Sequence, residues 1–153
     1  MTPTTMQTTH NVPPVDVQPS KLQRSTGLHV GLWIVQVLLA LAFLSAGVMK
    51  STQPIAVLAE KMVWPGALPE GLVRFIGVSE LLGGLGLILP AATRIKPILT
   101  PLAAVGLTTV MMLAIVFHLS RGEVSNVSFN LVLGGLAAFV AWGRLKKAPI
   151  AAR

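Results

Sequence analysis

Residues 71–89 have the sequence GLVRFIGVSELLGGLGLIL, which is apolar except at Arg74, Ser79 and Glu80. A helix of this length crosses the ~30 Å hydrocarbon core of a bilayer. Each Leu, Ile, Val or Phe favours insertion by about 0.3–0.6 kcal/mol, whereas a carboxylate at the centre costs about 2.5–3.5 kcal/mol. Insertion of this helix alone is therefore marginal, and we expect it to pack inside a bundle.

Three further stretches are long and apolar enough to span a bilayer, at 28–49, 97–117 and 124–143. The composition of the whole chain agrees, because only 11% of its residues are charged and the mean hydropathy is +0.74. Soluble domains usually carry about 25% charged residues. The sequence therefore predicts an all-α, polytopic membrane protein with a bundle of four transmembrane helices.

Most of the chain belongs to this membrane domain, which we place at 27–145. Residues 1–26 are rich in Thr, Pro and Gln and are predicted to form a disordered cytoplasmic tail, because they have few apolar side chains to bury. Residues 146–153 are predicted to form a short basic cytoplasmic tail. The first apolar stretch is longer than the 7–15 residues of a signal-peptide core, which favours a membrane span.

The distribution of Lys and Arg predicts the orientation. One side, with the termini and the loop at 90–96, has Lys21, Arg24, Arg94, Lys96, Arg144, Lys146, Lys147 and Arg153. The other side has only Lys50, Lys61 and Arg121. Since cytoplasmic loops hold the excess of positive charge, both termini are predicted to be cytoplasmic. The net charge of +7 is thus a topology signal, and no nucleic-acid partner is expected because the charges show no basic face with aromatic residues for stacking.

The loop between the first two spans has an internal pattern. Pro54 can start a short helix, and the pair Trp64-Pro65 would end it. The apolar residues between them suit a helix at the membrane interface, with Trp64 at the level of the headgroups. A solvated loop without function is the alternative interpretation.

Glu80 is the most informative residue of the chain. At helical rise it lies about 13 Å below the start of its span, where a short side chain cannot reach the headgroups. It must therefore face protein or a water-filled cavity. Arg74 is closer to the surface, can extend its long side chain to the headgroups, and has Glu70 four residues before it as an ion-pair partner.

Each of the other spans supplies one polar group to the same half of the membrane: Lys50, His118 and Asn130. We expect these residues to line a small cavity with Glu80, with Arg74 nearby. The alternative is an interhelical hydrogen-bond network that fixes the register of the helices. Small residues suited to close helix packing accompany them: Gly47, Gly77, Gly83, Gly84 and Gly134.

Several kinds of chemistry are excluded by composition. The chain has no cysteine, so disulfides, thiolate-held clusters and a cysteine nucleophile are ruled out. One histidine and one acid near the predicted cavity are too few for a metal site, and none is predicted. No motif of a phosphate-binding loop or of a serine nucleophile is present. The sequence leaves open whether any reaction is catalysed.

Two segments and one residue resemble a known family. FLSAGVMK at 43–50, GVSELLGGLGLILP at 77–90 and His118 resemble the DoxX-like family of small bacterial four-helix membrane proteins. The resemblance implies an inner-membrane location and family-like positions at Lys50, Glu80 and His118. The family is named after a subunit of a thiosulfate:quinone oxidoreductase, and other members look like parts of membrane oxidoreductase complexes. The lack of cysteine departs from any dithiol scheme.

Residues and resemblance together give two main hypotheses. The first is an accessory subunit of a quinone-linked redox system, or a binder of a small lipophilic molecule, with quinone as the candidate ligand and no covalently bound cofactor. The second is a membrane scaffold or assembly protein without catalytic activity. Passage of protons is a weaker third. Besides the lipid bilayer, the expected partners are another membrane protein or further copies of the chain.

Overall fold

The computed structural model describes residues 19–62 and 64–153. The predicted N-terminal tail lies outside these residues as far as residue 18, and the first helix begins at Pro19. The helices are α1 (Pro19–Thr52), α2 (Ile55–Met62), α3 (Glu70–Thr93), α4 (Leu99–Ser120) and α5 (Val124–Trp142). A 3₁₀ turn at Trp64–Ala67 and a π-helical turn at Gly143–Lys147 complete the order. No strand occurs in the part of the chain that is described.

Four of the helices are long and apolar enough to cross a membrane, namely α1, α3, α4 and α5. Their most apolar windows have mean hydropathies between 1.7 and 2.3. The predicted all-α fold with four spans is confirmed. The observed helices extend beyond some predicted boundaries, because α3 continues through Pro90 to Thr93 and α4 continues to Ser120.

The bundle is assembled from neighbouring pairs of helices. α1 packs mainly on α3, α3 on α4, and α4 on α5, while α1 and α5 also touch. Large apolar side chains fill the interior: Leu32, Leu39, Phe43, Leu87, Leu107, Met111 and Val140. Others face outward, including Leu38, Phe75, Leu82, Val116 and Leu131. An outer surface this apolar suits contact with lipid chains.

Glycines set the distance between the helices. A Cβ atom at Gly47 would lie 2.8 Å from the carbonyl oxygen of Gly77, so the backbones of α1 and α3 touch there. A Cβ at Gly77 would likewise meet the backbone nitrogen of Ser51 at 2.9 Å. The other predicted packing glycines are also close to neighbouring helices: Gly83 to Leu107, Gly84 to Leu44 and Gly134 to Met111.

The two ends of the bundle differ. The α2 end has α2, the 3₁₀ turn and the turn between α4 and α5, whereas the basic end has the α3–α4 connection and the C-terminal residues. The short helix predicted after Pro54 is present as α2. The predicted C-terminal tail packs on the bundle, because the backbone N–H of Arg153 donates to the carbonyl oxygen of Arg94 at 3.1 Å.

Candidate functional site

The centre of the site is a buried ion pair between Lys50 and Glu80. Lys50 lies in the last turn of α1 and Glu80 in the middle of α3. The Lys50 ammonium donates to both carboxylate oxygens of Glu80, at 2.6 and 2.7 Å. The two residues are only 8% and 2% exposed. The close approach of α1 and α3 at Gly47 and Gly77 brings the two side chains together.

This ion pair forms part of the wall of a cavity of about 560 Å³ at the α2 end. His118 and Asn130, the polar residues predicted on the third and fourth spans, line the same cavity. Its remaining polar side chains are those of Lys61 and Asn126. The apolar lining includes Met62, Trp64, Leu72, Ile76, Leu113, Phe117 and Phe129. The structure therefore brings four of the five candidate residues together around one space.

Arg74 is not among the residues that line the cavity. Its guanidinium pairs with the carboxylate of Glu70 at 2.9 Å, as the sequence suggested. It also donates to the carbonyl oxygens of Lys50 and Gln53, at 2.8 and 2.6 Å. These carbonyls lie at the C-terminal end of α1, where the helix itself leaves carbonyl groups without partners. Arg74 thus caps α1 and fixes the backbone of Lys50.

His118 is held by a residue that the sequence analysis did not single out. Its Nδ1 lies 2.6 Å from a carboxylate oxygen of Glu123, in the turn between α4 and α5. Glu123 also accepts hydrogen bonds from Arg121 and Asn126. The bonds from Arg121 and His118 lower the pKa of the Glu123 carboxyl to about 2. The sequence does contain an indication of this contact, because Glu123 follows His118 by five residues. Gly122, which lies between them, has a φ of 71° and allows the chain to turn.

Trp64 lines the cavity at the α2 end. Its ring lies 5.5 Å from the Lys50 ammonium, a cation–π distance. It also meets Phe117 and His118 edge-on, with centroids 6.4 and 6.2 Å apart. Sequence analysis assigned Trp64 only to the membrane interface, because nothing in the local pattern showed which helix it would contact.

The arrangement suits a ligand with oxygen atoms on an apolar body. An ammonium has three donors, of which Glu80 takes two, so Lys50 has one N–H left for a ligand oxygen. Since a carboxylate only accepts hydrogen bonds, Nδ1 of His118 is the donor to Glu123, which makes Nε2 the acceptor in a neutral ring. Asn130 can both donate and accept.

Comparison with known proteins identifies the family. The model of the DoxX-like family matches residues 34–140. The chain belongs to the DoxX-like family. This match confirms the resemblance found in the sequence, and with the four apolar helices it shows a multi-pass membrane protein. The matched region contains every residue of the candidate cavity. Searches of curated proteins and of solved structures found no match to this DoxX-like protein.

Proposed function

We propose that this DoxX-like protein binds a small lipophilic molecule, such as a quinone, in the cavity at the α2 end. In this role it would be an accessory membrane subunit of a quinone-linked redox system. The observation that carries the proposal is the Lys50–Glu80 ion pair, buried in the wall of an otherwise largely apolar cavity. Apolar walls with a few convergent polar groups are typical of small-molecule sites.

The dimensions and chemistry of the cavity fit a quinone. Its volume of about 560 Å³ lies within the range of about 300–1,000 Å³ common for ligand pockets. A quinone carbonyl could accept the remaining N–H of Lys50, and the quinone ring could lie against Trp64 and Phe117. The chain has no cysteine or tyrosine, so we expect it to bind and orient the ligand while a partner supplies the electrons.

The proposal includes a location. The start of α1 and the C-terminal residues lie at the basic end, where Lys and Arg are concentrated, and cytoplasmic loops carry the excess of such residues. We therefore place the protein in the bacterial inner membrane with both termini in the cytoplasm. The cavity at the α2 end would then face the outer side of that membrane.

The alternative function, a membrane scaffold, has less support from the structure than from the sequence alone. Its two supports were glycines that could pack against another membrane protein and the absence of a complete catalytic set from the sequence. Gly83 and Gly134, however, face Leu107 and Met111 of the same chain. Because these glycines are used for packing within the bundle, they do not by themselves indicate a surface for a partner.

Quenching of tryptophan fluorescence tests the proposal. Trp64 is the tryptophan that lines the cavity, whereas Trp33 and Trp142 lie toward the basic end. We expect a short-chain ubiquinone to quench the purified protein in detergent with saturation, and Trp64→Phe to abolish the saturable part. Glu80→Gln should weaken binding at least about tenfold, because it removes the charge that orients Lys50.

Glu60→Gln is the matched control for this experiment, because Glu60 is exposed and does not line the cavity. It removes an exposed carboxylate outside the cavity, so binding should stay at the level of the unmodified protein. Equal affinity in a folded Glu80→Gln variant would contradict the proposal, as would quenching that never saturates.

A further inference from the structure

A second buried cation lies at the basic end, far from the proposed quinone site. Arg144, in the π-helical turn after α5, is only 3% exposed. Its Nε donates to the side-chain oxygen of Gln36 at 2.6 Å, and its Nη1 donates to the carbonyl oxygen of Ala148 at 3.3 Å. Its Nη2 is buried and has no hydrogen-bond partner among the described residues. A buried charge held only by neutral groups is costly.

His29 does not resolve this shortage of partners. Its Nδ1 lies 3.0 Å from Nη1 of Arg144, while its Nε2 accepts a hydrogen bond from the indole N–H of Trp33 at 3.2 Å. A neutral imidazole has one acceptor nitrogen. It can therefore accept from Trp33 or from Arg144, but not from both, and neither bond brings a negative charge.

No acidic side chain lies near Arg144 within residues 26–62 and 64–153. Glu60, Glu70, Glu80 and Glu123 belong to the half of the bundle near α2, and the fifth acid, Asp16, precedes the described residues. The charged side chains described at the basic end are all cationic: Arg94, Lys96, Arg144, Lys146, Lys147 and Arg153. The local field at this end therefore attracts anions.

Arg144 also lines a cavity of about 390 Å³. Lys96 is the second cation in its wall, and the remaining lining is apolar. The start of α4, at Ile98 and Pro101, forms one side, and the C-terminal residues Pro149 and Ile150 form the other. The positive N-terminal end of a helix adds to the attraction for an anion.

We propose that this cavity binds the phosphate group of an anionic phospholipid. The observation that carries the proposal is the buried guanidinium of Arg144, which has an unpartnered N–H group and shares the cavity with Lys96. A guanidinium N–H group donates a charge-assisted hydrogen bond to a phosphate oxygen, and Nη2 is the group of Arg144 that is left to do so. A lipid is favoured over soluble phosphate because the rest of the wall is apolar and lies at the end of spanning helices, where lipid phosphates are found. Arg144 lies outside the matched family region of 34–140.

Native mass spectrometry of the protein in detergent tests this site. We expect one tightly bound phosphatidylglycerol per chain, and no such binding of phosphatidylcholine with the same acyl chains. Arg144→Gln and Lys96→Gln should each weaken phosphatidylglycerol binding at least about tenfold. Lys146→Gln removes an exposed cation outside the cavity and should leave it unchanged.

The outcomes separate the possible ligands. Equal binding of phosphatidylglycerol by all variants would overturn the site. Displacement of the lipid by millimolar inorganic phosphate, with the same loss in Arg144→Gln, would show that the site takes soluble phosphate and would overturn the lipid assignment. If Arg144→Gln does not fold, the lipid affinities of Lys96→Gln and Lys146→Gln are compared instead. Weaker binding in Lys96→Gln alone supports the site, and equal binding in both overturns it.

Discussion

At the scale of single residues, the ion pair of Lys50 and Glu80 is the feature that links fold to function. From the sequence, Glu80 had to face protein or a water-filled cavity, and Lys50 and His118 were expected to line that cavity without either being assigned to Glu80 as a partner. The structure pairs Glu80 with Lys50 and gives His118 to Glu123. Replacing a buried ion pair by apolar residues is often neutral or stabilising. The pair is therefore a weak source of stability, which agrees with the role in ligand binding that we propose for it.

A double substitution separates these two roles. Lys50→Met leaves the Glu80 carboxylate buried without its partner, so we expect it to destabilise the protein by about 3–5 kcal/mol. The double variant Lys50→Met, Glu80→Leu removes both charges and should recover most of that loss while failing to bind quinone. Unfolding titrations in detergent measure the stabilities, and fluorescence quenching measures binding. Recovery of both stability and binding in the double variant would contradict a role of the pair in binding.

At the scale of helices, the close contact of α1 and α3 positions the site. Gly47 and Gly77 let the two backbones touch one turn or less from Lys50 and Glu80. Sequence analysis predicted both as packing glycines, since small residues near a buried acid indicate close helices. It did not establish which helix each would meet, because helical periodicity gives the face of a helix but not its neighbour.

Gly47→Ala tests this contact. The added methyl group would lie 2.8 Å from backbone atoms of α3, which cannot move aside as a flexible side chain can. We expect a loss of stability of about 1–3 kcal/mol and weaker quinone binding, because α1 and α3 must separate at the ion pair.

Gly135→Ala provides the matched control, since a Cβ there meets nothing within 4 Å. It should be neutral or stabilising by up to about 1 kcal/mol, through the better helix propensity of alanine. The same unfolding titrations compare the two variants. Equal stability of both variants would show that the backbones of α1 and α3 are far enough apart at Gly47 to accommodate a methyl group.

At the scale of the whole molecule, charge is divided between the two ends of the bundle. Among the described residues, the charged side chains at the basic end are all cationic, whereas the α2 end and the cavity have both cationic and anionic side chains. The C-terminal residues fold back on the basic end, where Arg153 contacts Arg94. The basic end therefore attracts anions, and the α2 end surrounds a cavity that we propose to hold a largely apolar ligand.

Labelling of single cysteines tests the proposed orientation. The chain has no cysteine, so a substituted one is the only thiol. Ala67→Cys lies exposed at the α2 end and Ala152→Cys lies exposed at the basic end. In intact bacterial spheroplasts, a membrane-impermeant maleimide should label only Ala67→Cys, with labelling of both after lysis. Labelling of Ala152→Cys alone before lysis would show that the protein has the opposite orientation.

The sequence by itself determined the fold class, the four spans and the place of Glu80 in the middle of its helix, because hydrophobicity and helical rise are properties of local sequence. It also identified the packing glycines and four residues that line one cavity. Only the tertiary structure decided the partners. Glu80 pairs with Lys50, His118 with Glu123, and Arg144, counted from sequence as a topology charge, is buried beside Gln36. These contacts join residues on different helices or across a turn, and they depend on how the helices are rotated and placed against one another, which no local pattern specifies.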